Sequence, residues 1–176
     1  FISLPMNISE NEKMVIRSQL PDLEEILYEG ESRFYKRSFV SIFDHWLSRE
    51  EFNDIFIANP EEIEERRKKF KDLIHHLYSS TPIYITRFRR DRKNSLSINR
   101  VKDIETLDKK CKFQLLNEDY GGVFRFLMPE YSLIYTQGFD WTHLIEYSDE
   151  EGLKRFKQVV CQFGLYQLED KLHVLS

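Results

Sequence analysis

The sequence predicts an α+β fold, in which a helical N-terminal half packs on a small antiparallel meander sheet in the C-terminal half. The main observation is that residues 123–147 contain three short runs rich in aromatic and β-branched side chains. Turn residues bound these runs: a double glycine at 121–122, Pro129, Gly138 and Asp140. This spacing is typical of antiparallel strands joined by short connections. The second observation is that apolar residues before position 80 recur mostly at intervals of three and four, as in helices.

Length and composition indicate one folded domain. The chain has 176 residues, of which 41% are hydrophobic and 14% aromatic, enough for a substantial core. We expect a single domain over residues 1–176, with a helical part at about 8–80 and a sheet-containing part at about 83–176. The Ser-Ser-Thr-Pro junction at 79–82 is too short for a flexible linker.

Two short helices are predicted at the N-terminus. Ser9 followed by Glu12 has the capping-box spacing, and the apolar residues after it predict a helix at about 10–20. Pro21 is suited to the first position of a second helix, which Gly30 would end.

The next 50 residues also carry helical patterns. The apolar spacing over 34–47 predicts a helix with a broad apolar face. Ser48 and Glu51 form a second capping box. Asn59 and Pro60, followed by two acids, predict the start of a long helix that runs to about Tyr78.

Beyond Pro82 the pattern changes to mixed strands and helices. Alternation over 83–88 predicts a strand, 91–95 is turn-like, and a short helix is predicted near 100–109. Residues 112–116 are compatible with a further strand. After the meander, Ser148 and Glu151 form a third capping box for a helix to about Phe163, which Gly164 ends. A last strand is predicted over 165–169.

The sequence lacks the short signatures of several large enzyme classes. It contains no GxGxxG, GxxxxGK[ST], GxSxG, HExxH or CxxC pattern. The adjacent His75 and His76 would point about 100° apart on a helix, so we interpret them as helix-end side chains and expect no metal. No cofactor is expected. The net charge of −4 and pI near 5.8 disfavour bulk binding to nucleic acid or anionic lipid.

Cysteine usage and hydropathy favour a cytoplasmic protein. Cys111 and Cys161 belong to no motif, and we interpret them as two buried thiols in a reducing compartment. No apolar run approaches the ~18 residues of a membrane span, and the initial FISLPM lacks the features of a signal peptide. We therefore expect no membrane association.

Acidic residues in the C-terminal half support the leading functional hypothesis. The candidate acidic face consists of Glu118, Asp119, Glu146, Asp149, Glu150 and Glu151. These carboxylates either complement helix dipoles or form a surface that meets a basic partner. On the second interpretation the chain is a protein-binding module without catalysis. One concrete form is an immunity- or antitoxin-type protein that neutralises a basic toxin.

A basic cluster supports an alternative hypothesis, a nucleic-acid-associated protein. The candidate patch consists of Tyr84, Arg87, Arg89, Arg90, Arg92 and Lys93. Cations interleaved with aromatic rings can hold single-stranded nucleic acid or a phosphorylated ligand. A solvated strand end is the competing interpretation.

A third hypothesis is an enzyme. Glu130, Asp140 and His143 lie around the predicted meander, and a carboxylate with an imidazole can act as a general acid and base. No nucleophile or oxyanion site accompanies them. A turn aspartate and a structural histidine explain the same residues.

Overall fold

The computed structural model describes residues 6–88, 96–111, 124–138 and 141–171. The helices of this part are α1 (Glu10–Gln19), α2 (Leu23–Glu29), α3 (Arg49–Glu51), α4 (Pro60–Ser80), α5 (Ile104–Cys111) and α6 (Glu150–Gln162). A π-helical segment, Phe52–Phe56, follows α3, and a 3-10 turn, Pro129–Tyr131, precedes β6. The strands are β1 (Met6–Asn7), β2 (Lys36–Ser41), β3 (Tyr84–Phe88), β4 (Leu96–Arg100), β5 (Arg125–Met128), β6 (Leu133–Thr136), β7 (Thr142–Tyr147) and β8 (Tyr166–Glu169).

All these strands join one antiparallel sheet in the order β1-β4-β3-β5-β6-β7-β2-β8. The predicted meander is confirmed, because β5, β6 and β7 are consecutive neighbours near its centre. The predicted fold class is confirmed as well, with helices mainly in the N-terminal half and strands mainly in the C-terminal half. The N-terminal half nevertheless contributes β1 and β2 to the sheet.

The sheet is buried on both faces at its centre. Side chains alternate along a strand, so Tyr135 and Ile134 of β6 lie on opposite faces. Tyr135 belongs to a core cluster with Phe70 of α4 and Phe156 of α6. Ile134 belongs to a second cluster, which includes apolar residues of α1, of its C-terminal cap and of α2: Ile16, Leu20, Leu23, Ile26 and Leu27. The sheet therefore lies between α4 and α6 on one side and α1 and α2 on the other.

Local capping explains where several helices begin. The Ser9 hydroxyl accepts a hydrogen bond from the Glu12 amide at 3.1 Å. The capping box predicted at the start of α3 (Ser48 with Glu51) is complete. The helix start predicted at Asn59 and Pro60 is confirmed, and there Asn59 and Glu62 also form a complete capping box. None of the helices in the described ranges combines the length and the apolar character that a membrane crossing requires.

The helix predicted over 34–47 is wrong. Residues 36–41 form β2, which pairs with β7 on one side and with β8 on the other. The apolar intervals that resemble a helix come from alternating strand residues followed by a loop. Long-range pairing with strands more than 100 residues away overrides the local pattern.

Smaller differences concern the ends of other elements. The cap of α6 is Asp149 rather than Ser148, because the Asp149 carboxylate accepts from the Gly152 amide at 2.7 Å. Pro21 lies just outside α2, and the sequence does not predict strand β4. The turn-like 91–95 and the candidate strand at 112–116 lie outside the described residues.

Gly152 allows α6 to approach the 3-10 turn before β6. A Cβ atom at this position would lie 2.2 Å from the Tyr131 carbonyl oxygen and 2.8 Å from its carbon. Both are backbone atoms, so they cannot move aside as a flexible side chain could. The first turn of α6 therefore packs on this segment only with glycine at position 152.

We predict that Gly152→Ala destabilises the protein by about 2 kcal/mol or more, because α6 must shift away from Tyr131. Gly30→Ala is the matched control: Gly30 has φ +75°, and a Cβ atom added there would have no neighbour within 4 Å among the described residues. Its expected cost is about 1 kcal/mol, from the left-handed backbone alone. Urea unfolding of both variants measures the difference, and equal costs would contradict the close approach.

Candidate functional site

The acidic face predicted in the C-terminal half does not form as expected. Glu146 is buried, with 2% of its surface exposed. It lies opposite Arg37 in the β2–β7 ladder. Burial raises the pKa of Glu146, and the guanidinium groups of Arg125 and Arg37 oppose that rise. The prediction is wrong here because alternation in β7 directs Glu146 to the second buried face of the sheet.

The remaining members of that face have local roles or lie outside the described residues. The Asp149 carboxylate caps α6, and Glu150 forms an ion pair with Lys36 at 2.8 Å. Glu151 is exposed in the first turn of α6. The helix-dipole interpretation therefore fits positions 149–151. Glu118 and Asp119 are not among the described residues.

The aromatic residue of the predicted basic patch, Tyr84, is not accessible to a ligand. Tyr84 is 4% exposed and donates a hydrogen bond to the Glu12 carboxylate, so its ring cannot stack on a base. Burial, together with that bond, raises the pKa of Tyr84 to about 12. Arg87 is exposed on β3. The other members of the patch lie outside the described residues: Arg89, Arg90, Arg92 and Lys93.

The acid/base hypothesis is not supported by the surroundings of its members. His143 is 4% exposed, stacks on Phe70 with ring centroids 4.1 Å apart, and shares a hydrogen bond with Tyr135 through Nδ1. Burial lowers the pKa of His143 to about 3. Glu130 instead lies at the surface, 3.6 Å from Arg155. Asp140 lies outside the described residues. His143 is thus a neutral histidine of the core.

The adjacent histidines and the cysteines also have structural surroundings. His75 bonds to Asp108 and links α4 to α5, while His76 packs on Phe163. Within the described ranges, no group of three or more possible metal ligands occurs. Both cysteines are free, and Cys111 is buried as predicted. Cys161 is exposed, so its predicted burial is wrong.

The strongest concentration of acid among the described residues lies in the N-terminal segment that contains α1 and α2. Residues 10–31 carry seven carboxylates and two cations, a net charge of −5. The whole chain has a net charge of −4, so the other 154 residues together have +1. We name the exposed outer side of this segment, which consists of α1, α2 and the residues that flank α2, the α1–α2 acidic surface. Its carboxylates are Glu10, Asp22, Glu24, Glu25, Glu29 and Glu31.

This surface also exposes large apolar side chains. Met14 and Tyr28 are each 69% exposed, and Val15 is 55% exposed. An ion pair between Arg17 and Glu24 joins the outer edges of the two helices. Because the inner sides of both helices are core, these exposed side chains are held on a packed layer rather than on loops. The arrangement combines apolar contact area with a strong negative field.

The sequence contains a signal for this surface. A count of charge by segment finds the excess of acid at 10–31, although the acids around the meander form the more compact clusters in the sequence. The pattern does not show that Met14, Val15 and Tyr28 face outward, since that depends on how each helix packs on the sheet.

Comparisons with protein-family models, with curated proteins and with solved structures gave no match.

We predict that His143 makes the protein less stable in mild acid. The unfolded chain protonates this ring below its ordinary pKa of 6.5, whereas the folded protein keeps it neutral down to about 3. The contribution of the neutral His143 ring to the free energy of unfolding is therefore complete above pH 6.5 and is lost as the pH falls toward 3. His143→Gln should show a flatter dependence of unfolding free energy on pH between 6.5 and 4. Parallel curves for both proteins would contradict the buried, neutral histidine.

Proposed function

We propose that this chain is a protein-binding module that binds a basic protein through the α1–α2 acidic surface. The observation that carries the proposal is the charge distribution. The segment 10–31, which contains α1, α2 and the residues beside them, holds a net charge of −5, while the rest of the chain is nearly balanced. Acids that merely keep a protein in solution need not be concentrated in one layer.

Electrostatics supports a basic partner in particular. Glu25 and Glu29 lie one helical turn apart on α2, which is within one Debye length, about 8 Å at physiological salt, so their fields add. Such a field raises the rate of encounter with a cationic surface by about 10- to 1,000-fold and disfavours acidic partners. The ion pairs of Lys13 with Glu10 and of Arg17 with Glu24 neutralise only part of it.

The exposed apolar side chains would supply binding energy that charge alone does not. Hot spots at interfaces are enriched in aromatic residues set among polar groups, and methionine adapts to varied partners. Tyr28 follows Glu24 by four residues and Glu25 by three on α2, the spacing at which helical side chains are neighbours, so an aromatic side chain lies beside two carboxylates. This is the composition of an anchor with a charged rim.

The concrete form of the proposal is an immunity- or antitoxin-type protein in the cytoplasm that neutralises a basic toxin. A toxin that acts on nucleic acid needs a cationic site, and an acidic surface can cover it. Two free cysteines are compatible with a reducing compartment.

The test is affinity capture with the full chain, comparing the wild type with Glu25→Lys, Glu29→Lys and Glu31→Lys combined. We expect the wild type to retain a protein of basic pI, with an association rate that falls as salt rises. The triple variant should bind at least tenfold more weakly. The measurement is surface plasmon resonance with the captured protein, at low salt and again at about twice the physiological ionic strength.

The matched control reverses three exposed acids elsewhere: Glu50, Glu61 and Glu151. It changes the net charge equally but leaves the α1–α2 acidic surface intact, so its binding should remain close to that of the wild type. Circular dichroism checks that both triple variants fold. Equal loss in both, or a captured partner of acidic pI that binds independently of salt, would refute the proposal.

A further inference from the structure

A cleft lies where α4 ends, beside the start of β3 and the end of β4. Its volume is about 410 Å³. The lining combines the last turn of α4 with the residues that enter β3 and leave β4, namely Tyr78, Ser79, Thr81, Pro82, Ile83, Arg100, Val101 and Lys102. A backbone hydrogen bond from the Val101 amide to the Ile83 carbonyl, 2.9 Å long, fixes the two segments together.

Thr81 contributes a buried hydroxyl without a hydrogen-bond partner among the described residues. The residue is 6% exposed, and its Oγ1 atom is inaccessible to solvent. A buried polar atom of this kind costs stability unless something pairs with it. The neighbouring Ser79 and Ser80 differ, since both hydroxyls donate to the His76 carbonyl at 2.8 Å. The unpaired hydroxyl belongs to a residue that lines the cleft, so a ligand that reaches it by a local opening of the lining would supply the missing hydrogen bond.

Two cations line the same cleft. Arg100 and Lys102 are exposed, and within the described ranges neither forms an ion pair. The nearest acid in the sequence, Asp103, accepts a hydrogen bond from the Thr106 amide at 2.7 Å. That bond, and to a smaller extent the charge of Lys102, lowers the pKa of Asp103, but the described side chains of Asp103 and Lys102 form no ion pair. The carbonyl of Leu77 at the end of α4 is bonded to the Thr81 amide, which reduces the negative potential of the helix terminus.

We propose that this cleft binds a small organic phosphate monoester. Arg100 and Lys102 bind its phosphoryl oxygens, the Thr81 hydroxyl donates to one of them, and the organic part lies against Pro82 and Val101. This site is separate from the α1–α2 acidic surface, so neither proposal depends on the other.

Charge and geometry favour a phosphate monoester over a carboxylate. A monoester carries nearly two negative charges at neutral pH and three acceptor oxygens. The cleft offers two cations and a neutral hydroxyl, which match that charge and that number of oxygens. A carboxylate would match one cation and leave the other uncompensated. The volume exceeds what a bare phosphate ion needs, so an organic group fits beside it.

The test is a titration of the full chain with phenyl phosphate, monitored through the amide NMR signals of Thr81 and Val101. Phenyl phosphate should give saturable shifts at these residues, and benzoate should give none. Arg100→Gln combined with Lys102→Gln should weaken binding at least tenfold. Lys154→Gln combined with Lys157→Gln removes two exposed cations from α6 and should leave binding unchanged.

Thr81→Val provides an independent readout. It keeps the shape of the side chain but removes the unpaired hydroxyl, so it should raise the melting temperature by about 2–4 °C while weakening phenyl phosphate binding. Three results would each overturn the proposal: shifts that do not saturate with phenyl phosphate, equal binding of benzoate, and unchanged affinity in the Arg100 and Lys102 variant. If Thr81→Val binds phenyl phosphate as tightly as the wild type does, the Thr81 hydroxyl does not contact the ligand, and the proposed site is wrong on that point.

Discussion

Burial of the central strands on both faces is the constraint on which the rest of the structure depends. Every side chain of β6 is buried, and its neighbour β5 is nearly so. A strand of this kind is stable only when helices cover both sides of the sheet. One cover comes from α4 and α6, which follow the common pattern of long amphipathic helices. The other comes from α1 and α2, which are short and bring charge with them.

This constraint also determines where charge can lie. A carboxylate in the central strands must be buried, as Glu146 is, and then depends on nearby guanidinium groups. Acids on the helices can face outward at no such cost. The inner side of the α1–α2 layer is apolar and anchors it, so its outer side is left free for carboxylates and a few large apolar side chains. A stable fold and a charged surface therefore use opposite sides of the same two helices.

The sequence predicts the elements whose signals are local, and the sites depend on contacts that are not. The meander follows from turn residues and β-branched runs, and the starts of α1, α3 and α4 follow from capping residues. The region 34–47 has a helical pattern in the sequence, but its strand β2 is determined by pairing with β7 and β8, which are distant along the chain. The cleft unites the end of α4 with residues 100–102, and only the β3–β4 pairing brings those segments together. Likewise, the burial of Glu146 depends on a second helical layer that its own strand does not reveal.

Hydrogen exchange of the free protein, resolved by residue, tests the two-sided core most directly. If α1 and α2 are part of that core, their amides should exchange with opening free energies close to those of β6. Exchange in α1 and α2 that is much faster than in β6, by several kcal/mol of opening free energy, would contradict this. The helices would then be a loosely attached layer, and the sheet would be stable with one face uncovered.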